Sequence, residues 1–348
     1  MSSRDLLHRF VKLKRYYDYC NVERSANVGF HRSDTRMCSA STNMSVDEHF
    51  MTPDGTGFSD VHNNLATFLQ PYYRDQRPVV IRGAVQMAPA TKRWTSWEYW
   101  QQAFAESNTM VAVEMGGSYG SEQSERVEIP ILGYLQYLEM FEERHGRIGK
   151  ASWNDSNVPS DQKTLSSWSI PSSELVYMAQ NDLPQQLHND IFIPNFCQID
   201  NSFEGDGLGD SSSSLGLGRL YSIMLWMGPR GCVSPLHFDP LDNCLMQHVG
   251  RKRVLLYEPT SSTSGWHYAG CDGQQTNTSP INPEVMDGND TNSDQLQQVK
   301  TQYPLFLEEA PPRKECILNP GDLLYIPAKW WHHVRSIDTS ASVNVWWR

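Results

Sequence analysis

Two kinds of apolar pattern alternate along the chain. Some segments carry hydrophobic residues at helical spacing, and others are short runs rich in β-branched and aromatic residues. Phe58 to Gln70 and Ser96 to Phe104 have helical periodicity. The first is expected to stop at Pro71, and the second to start at Thr95-Ser96, where a hydroxyl can cap free N–H groups. Ile131 to Arg144, entered after Pro130, predicts a further helix. Pro78-Val-Val-Ile81 and Val111-Ala-Val-Glu-Met115 predict buried strands, the latter ending at Gly116-Gly117. Trp94, Trp97 and Trp100 recur at i, i+3 and i+6, so they read as a packed helical face rather than a ligand cage.

After residue 218 the pattern turns to strands, expected at 219–227, 235–239, 243–249, 252–257, 315–318, 323–327, 332–336 and 341–347. Segments 243–249 and 252–257 read as a hairpin turning at Gly250-Arg251. Short strands closing on one another predict a double-stranded β-helix, a cupin or jelly-roll barrel with room for a ligand. The fold class is mainly β with α (α+β), the barrel being preceded by a mixed helical and strand region. Residues 1–45 form a polar N-terminal segment expected to be poorly ordered, with a candidate amphipathic helix from Arg4 to Tyr19. Residues 46–203 are the mixed region packing on the barrel, and 204–218 are a Gly/Ser-rich connector. Residues 219–348 are the barrel core, interrupted by a polar insertion at 260–312 that is expected to be a surface excursion.

The chain has 348 residues, 39% of them hydrophobic, which suffices for a sizeable core. Its 40 acidic against 29 basic residues give a net charge of −11. That disfavours nucleic acid as the main ligand and favours a basic protein or peptide partner. No apolar run approaches the roughly 18 residues of a membrane span. Seven cysteines without a C-x-x-C pair suggest reduced thiols in a nuclear or cytoplasmic protein.

The chemistry concentrates in Ser234-Pro-Leu-His237-Phe-Asp239-Pro and Tyr325-Ile-Pro-Ala-Lys-Trp-Trp-His332-His-Val-Arg335. His and Asp two apart on a strand share a face. A histidine from a distant strand can then complete two imidazoles and one carboxylate around a metal, the facial arrangement of non-haem Fe(II) oxygenases. Zn(II) also fits these donors, and His333 competes with His332 for the distal place. Lys252 opens a strand, so its ammonium can pair with a carboxylate held beside the metal. His248 and His267 read as ordinary barrel or surface histidines.

These segments resemble the JmjC family of Fe(II)- and 2-oxoglutarate-dependent oxygenases over about residues 60 to 348. Further matching motifs are Arg77-Pro-Val-Val-Ile-Arg-Gly83, Val113-Glu-Met-Gly116, Tyr177-Met-Ala-Gln180, Leu225-Trp-Met-Gly-Pro229, Asn319-Pro-Gly-Asp-Leu-Leu-Tyr-Ile-Pro327 and Ser342-Val-Asn-Val-Trp-Trp347. The resemblance implies His237, Asp239 and His332 as the metal ligands carrying catalysis, with His333 turned to the other face. It implies Lys252, Asn243 and Tyr177 as partners of 2-oxoglutarate, with Ser234 and Trp226 lining that pocket and O2 as the second cosubstrate. Glu114, Tyr119 and Gln180 match positions that contact a target arginine, and Trp346 either closes the pocket or belongs to the core. The implied function is a protein hydroxylase acting on an arginine side chain. N-methyl-lysine (histone) demethylation is the alternative within the same oxidoreductase chemistry, and a non-catalytic cupin-like binding module is the alternative of another class. The 260–312 insertion and the last strand, Val-Asn344-Val-Trp-Trp, depart from the family pattern.

Overall fold

The computed structural model describes residues 44–50, 65–66, 69–120, 125–145, 170–197, 219–260, 266, 277–287 and 293–348. Residues 1–43, the 204–218 connector and His267 lie outside the described residues, as does much of 261–276. All described residues fall in the unit Thr42–Arg348.

In chain order the strands are β1 (Met44–Ser45), β2 (Asp47–Phe50), β3 (Val79–Arg82), β4 (Met110–Met115), β5 (Arg126–Pro130), β6 (Val176–Asp182) and β7 (Leu220–Gly228). They continue as β8 (Val233–Phe238), β9 (Asp242–Val249), β10 (Lys252–Tyr257), β11 (Lys314–Leu318), β12 (Leu323–Ile326), β13 (Trp331–Ser336) and β14 (Ser340–Trp347). The helices are α1 (Pro89–Arg93), α2 (Trp97–Phe104), α3 (Ile131–His145), α4 (Ser293–Gln302) and α5 (Pro304–Glu308). Every strand expected after residue 218 is present within two residues of its expected bounds. Strand structure also begins earlier than expected, because Met44 and Ser45 pair in parallel with β11.

The strands form two sheets, one ordered β1-β11-β10-β13-β8 and the other β2-β3-β12-β9-β14-β7-β6-β4-β5. The eight strands β7 to β14 divide equally between them, giving the cupin-type barrel. Between the sheets lies an apolar core that includes Leu245, Val254, Leu256, Leu318, Leu324, Ile326 and Val334.

This topology corrects the expected hairpin at Gly250-Arg251. β9 pairs with β12 and β14, whereas β10 pairs with β11 and β13, so the two segments belong to opposite sheets. Both strands are buried at every position, so neither shows the one-sided alternation that would hold a two-stranded hairpin together. Gly250 has φ +65°, and a Cβ there would stand 2.2 Å from the Thr339 carbonyl oxygen. A glycine is needed at this point to carry the chain from one sheet to the other.

Ser96 caps α2 by accepting the Tyr99 N–H, as its sequence predicts. Pro71 does not end a helix: residues 69–74 are helical and the Pro71 carbonyl accepts from Asp75. Residues 58–64 and 67–68 of the expected helix lie outside the described residues. Trp94 and Trp100 are buried and pack ring to ring, in keeping with a structural role. α3 buries Tyr134, whose hydroxyl meets the Val176 and Met227 carbonyls and so ties the helix to β6 and β7. No helix among the described residues is long and apolar enough to cross a membrane.

Candidate metal and cosubstrate site

β8 and β13 pair antiparallel with His237 directly opposite His332. Opposed side chains share a face, and the two rings lie with centroids 4.1 Å apart. Asp239 follows just beyond β8, and one donor atom from each of the three residues lies within 4.8 Å of the others. His237 Nδ1 sits 2.7 Å from the Pro235 carbonyl, and His332 Nδ1 sits 3.0 Å from the Trp330 carbonyl. A carbonyl can only accept, so Nδ1 carries the proton in both rings and each Nε2 keeps its lone pair for a metal. Burial, helped by the His237 ring and opposed by Asp239, lowers His332 to about 4, which keeps it neutral as ligation requires. Trp346 donates Nε1–H to Asp239 Oδ2 over 3.0 Å and thereby orients the carboxylate. Trp346 is thus neither a simple lid nor plain core.

The triad opens into a small pocket that Tyr177, Trp226, Ser234, Lys252, Asn344 and Trp346 also line. Lys252 is buried and donates to Ser342 Oγ at 2.7 Å. No carboxylate among the described residues stands within ion-pair distance of it, and burial lowers it from 10.5 to about 7 while the Cys232 thiol pulls the other way. Tyr177, fully buried, lies 3.5 Å from Ser234 Oγ, and burial raises its phenol far above the ordinary range.

A buried ammonium without a counter-ion, in one pocket with three neutral or anionic metal donors, fits a dicarboxylate that chelates metal at one end. Fe(II) and 2-oxoglutarate meet that description, and Lys252, Tyr177 and Ser234 line the same pocket as the triad.

Asn243, expected to bind the cosubstrate, neighbours the pocket through Asn344. It does not line the pocket; its Oδ1 accepts from Asn344 Nδ2 at 2.9 Å, and its own Nδ2 is buried without a hydrogen-bond partner among the described residues. Asn344 is the amide that reaches the cavity, and the sequence reading missed it and Ser342. Their signal was present, since Ser340, Ser342, Asn344 and Trp346 are polar-tipped residues spaced by two on β14, with Ala341, Val343 and Val345 between them.

The expected substrate residues neighbour the pocket-lining Tyr177 and Trp226. Glu114 lies opposite Tyr177 across the β4–β6 pair and is buried. The Tyr119 hydroxyl donates to Gln180 Oε1, and its ring meets Trp226 edge-on at 5.3 Å. Gln180 has φ +49°, a left-handed conformation that a sequence does not announce. Burial raises the Tyr119 phenol, Arg126 opposes this, and Glu114 and Asp239 add to it.

The 260–312 insertion is no surface excursion where it is described. β8 is the outer strand of its sheet, and Thr278 bridges to His237 itself. The Phe238 N–H donates to the Asn277 carbonyl at 3.0 Å and the Ser279 N–H to the Leu236 carbonyl at 2.7 Å. The insertion therefore covers the edge of the strand that carries His237. Trp266, Ile281, Val285, Val299 and Phe306 pack with Leu236, Tyr257 and Trp331 in a second apolar cluster. Glu284 accepts two bonds from Arg335 Nε at 2.7 and 2.8 Å, beside His333 Nε2 at 3.5 Å. Burial pushes Glu284 up, but His333 and Arg335 prevail and hold it well below the usual carboxylate range. His333 thus faces Glu284, away from the triad, as strand alternation requires. His248 is buried against Thr91 and lowered to about 3 by burial, in keeping with a structural histidine.

The chain matches known proteins over most of its length. A cupin-like domain family model matches residues 65–348. Lysine-specific demethylase 8 of Xenopus tropicalis is 31% identical over 82% of this chain and 51% of its own length. Jumonji C domain-containing protein 5 of Drosophila melanogaster is 28% identical over 82% of this chain and 58% of its own. tRNA wybutosine-synthesizing protein 5 of Homo sapiens is 24% identical over 81% and 74% respectively. The chain spans about half the length of the two relatives named first. With the barrel, the facing histidines and the matched span in agreement, the chain belongs to the cupin-like JmjC-domain family.

Proposed function

We propose that this chain is an Fe(II)- and 2-oxoglutarate-dependent oxygenase that hydroxylates an arginine side chain of a basic protein or peptide substrate in the nucleus or cytoplasm. The observation that carries the cosubstrate assignment is Lys252, a buried ammonium without a carboxylate partner among the described residues, in the same pocket as His237, Asp239 and His332. When bound, Fe(II) with 2-oxoglutarate and O2 supplies the oxidising power that replaces a substrate C–H bond by C–OH. The chain's own residues do the rest. His237 and His332 offer Nε2 lone pairs because backbone carbonyls hold their Nδ1 protons. Trp346 holds the Asp239 carboxylate in place. Lys252 and the Tyr177 hydroxyl bind and orient the cosubstrate, and the apolar walls at Leu245, Ile326 and Val334 exclude water. Glu114, Tyr119 and Gln180 receive the substrate side chain.

Demethylation of N-methyl-lysine is the second reading, favoured by the name of the Xenopus relative. The net charge of −11 speaks against a tRNA substrate. Turnover of 2-oxoglutarate to succinate with Fe(II), compared between the wild type and His237→Ala, tests the oxygenase reading; equal rates would end it. Mass spectrometry of a peptide-library reaction then separates the two outcomes. Gain of one oxygen on arginine supports hydroxylation, and net loss of a methylene from methyl-lysine supports demethylation.

A further inference from the structure

Among the described residues β8 has one partner in its sheet, β13, and their ladder is irregular next to the histidines. It runs through Phe238–Trp331 and His237–His332 and then shifts register before Ser234–Val334. A strand paired on one side only, beside such a shift, is poorly held by its own sheet. Gly117 and Tyr119 meet its outer edge at Val233, and residues 277–279 meet it at His237. The Ser279 N–H donates to the Leu236 carbonyl at 2.7 Å, the Phe238 N–H to the Asn277 carbonyl at 3.0 Å, and Asn277 Nδ2 to the Phe238 carbonyl at 2.8 Å. Both chain neighbours of His237 are thereby gripped, and Thr278 bridges to His237 itself. The same segment is then fastened behind the barrel wall. Glu284 accepts from Arg335 Nε on β13, and Asp287 accepts from Arg253 of β10 and from Arg313 Nη2, the last at 2.7 Å. The Arg253 and Arg313 side chains are buried, so these pairs are costly to break from one side.

We propose that residues 277–287 are a strap that sets His237 in place for the metal, with Asn277 as the positioning residue that grips β8 through both its backbone and its side chain. This rests on the oxygenase reading above and adds to it a part of the insertion that tunes the metal site. The three donors are held by different means. His332 sits on a strand paired on both sides, with β8 and with β10. The Asp239 carboxylate is oriented by Trp346. The His237 ring is fixed only to its own strand, through Nδ1 and the Pro235 carbonyl, so ring and backbone move as one. Any slack in β8 at residues 236–238 therefore becomes slack in the metal donor, and donor sets of this kind need placement to within about 0.5 Å. Asn277 closes the grip at Phe238, the residue between His237 and Asp239, and so steadies the start of both side chains. Its removal touches no metal donor and leaves the ion pairs of Glu284 and Asp287 intact.

The test is an optical titration of the full chain with Co(II), without cosubstrate. Asn277→Ala removes the side-chain donor, and Asn277→Asp keeps its shape while turning the donor into an acceptor. Asn277 is half-buried, so both variants are expected to fold, and thermal unfolding on the same samples checks this. Ser96→Ala uncaps α2, a helix that contributes no residue to the pocket, and controls for general loss of stability. Both Asn277 variants are expected to bind Co(II) about tenfold more weakly than wild type, with an altered visible band. Ser96→Ala should keep the wild-type affinity and band. Asn277 variants within twofold of wild type, or a Ser96→Ala protein weakened as much as they are, would overturn the proposal while leaving the metal site standing. The reading beneath it fails by a different result: if wild type binds Co(II) no better than His237→Ala, the triad is not a metal site and the strap has nothing to position.

Discussion

Replacing Lys252 by methionine should make the metal-free, ligand-free protein more stable while abolishing its response to 2-oxoglutarate. In the native chain burial lowers this lysine from 10.5 to about 7. A difference of that size corresponds to about 5 kcal/mol at roughly 1.4 kcal/mol per pH unit, all of it opposing folding below pH 7. The sign follows from proton counting. Below about 7 both states hold the proton and the full cost stands; between 7 and 10.5 the unfolded chain holds it and the native chain does not, so stability rises with pH through that window. Methionine removes the charge with little change of volume but strips Ser342 Oγ of its donor. An unpaired buried hydroxyl costs about 1–3 kcal/mol, which leaves a net gain of roughly 3 kcal/mol near pH 7. Denaturant unfolding of wild type, Lys252→Met and Lys252→Met/Ser342→Ala from pH 6 to 10 reads both the gain and the slope. The double variant should be the most stable, and the rise of wild-type stability between pH 7 and 10 should be absent from both variants. Calorimetry at pH 8 in buffers of different ionisation enthalpy should show wild type taking up close to one proton per 2-oxoglutarate bound. A Lys252→Met protein less stable than wild type at pH 7, with an unchanged pH slope, would refute the reasoning.

Trp346→Phe removes the donor to Asp239 and should weaken Co(II) binding by about 10- to 100-fold, read by optical titration; unchanged affinity would deny the tryptophan its orienting role. Glu284→Gln breaks the buried pairing with Arg335 and should cost roughly 3 kcal/mol in urea unfolding. Because that carboxylate is held below its ordinary 4.5, its contribution is complete above this value and is lost as pH falls beneath it. The variant should therefore show a flatter acid limb, and an acid limb identical to wild type would count against the ion pair. Gly250→Ala sets a side chain at φ +65° against the Thr339 carbonyl and should cost at least about 2 kcal/mol, measured by the same unfolding assay.

Strand alternation and residue chemistry are local properties, and they singled out His237, Asp239 and the His332-His333 pair, while the family resemblance chose His332. The period of two separates His332 from His333, and the structure turns the first to Asp239 and the second to Glu284. The strand limits after residue 218 were legible for the same reason, since β-branched runs and glycine or proline breaks are written into the chain. Strand partners were not legible. β9 and β10 touch end to end in sequence yet pair in different sheets, because pairing depends on which distant strand offers a complementary buried face. The insertion misled for a related reason: its polar composition hides Trp266, Ile281, Val285 and Phe306, which become a core only when Leu236, Tyr257 and Trp331 are brought to them. Glu114 and Arg126 lie 12 residues apart, and nothing in either residue marks them as a pair. Local chemistry thus pointed to the candidate donors His237, Asp239 and His332 and to Lys252, which share one pocket. Only the closing of the two sheets decided that Lys252 has no carboxylate partner among the described residues, that Asn344 lines the cavity and bonds Asn243, and that Arg126 pairs with Glu114. Each of these is a relation between strands distant in sequence, settled by register and burial.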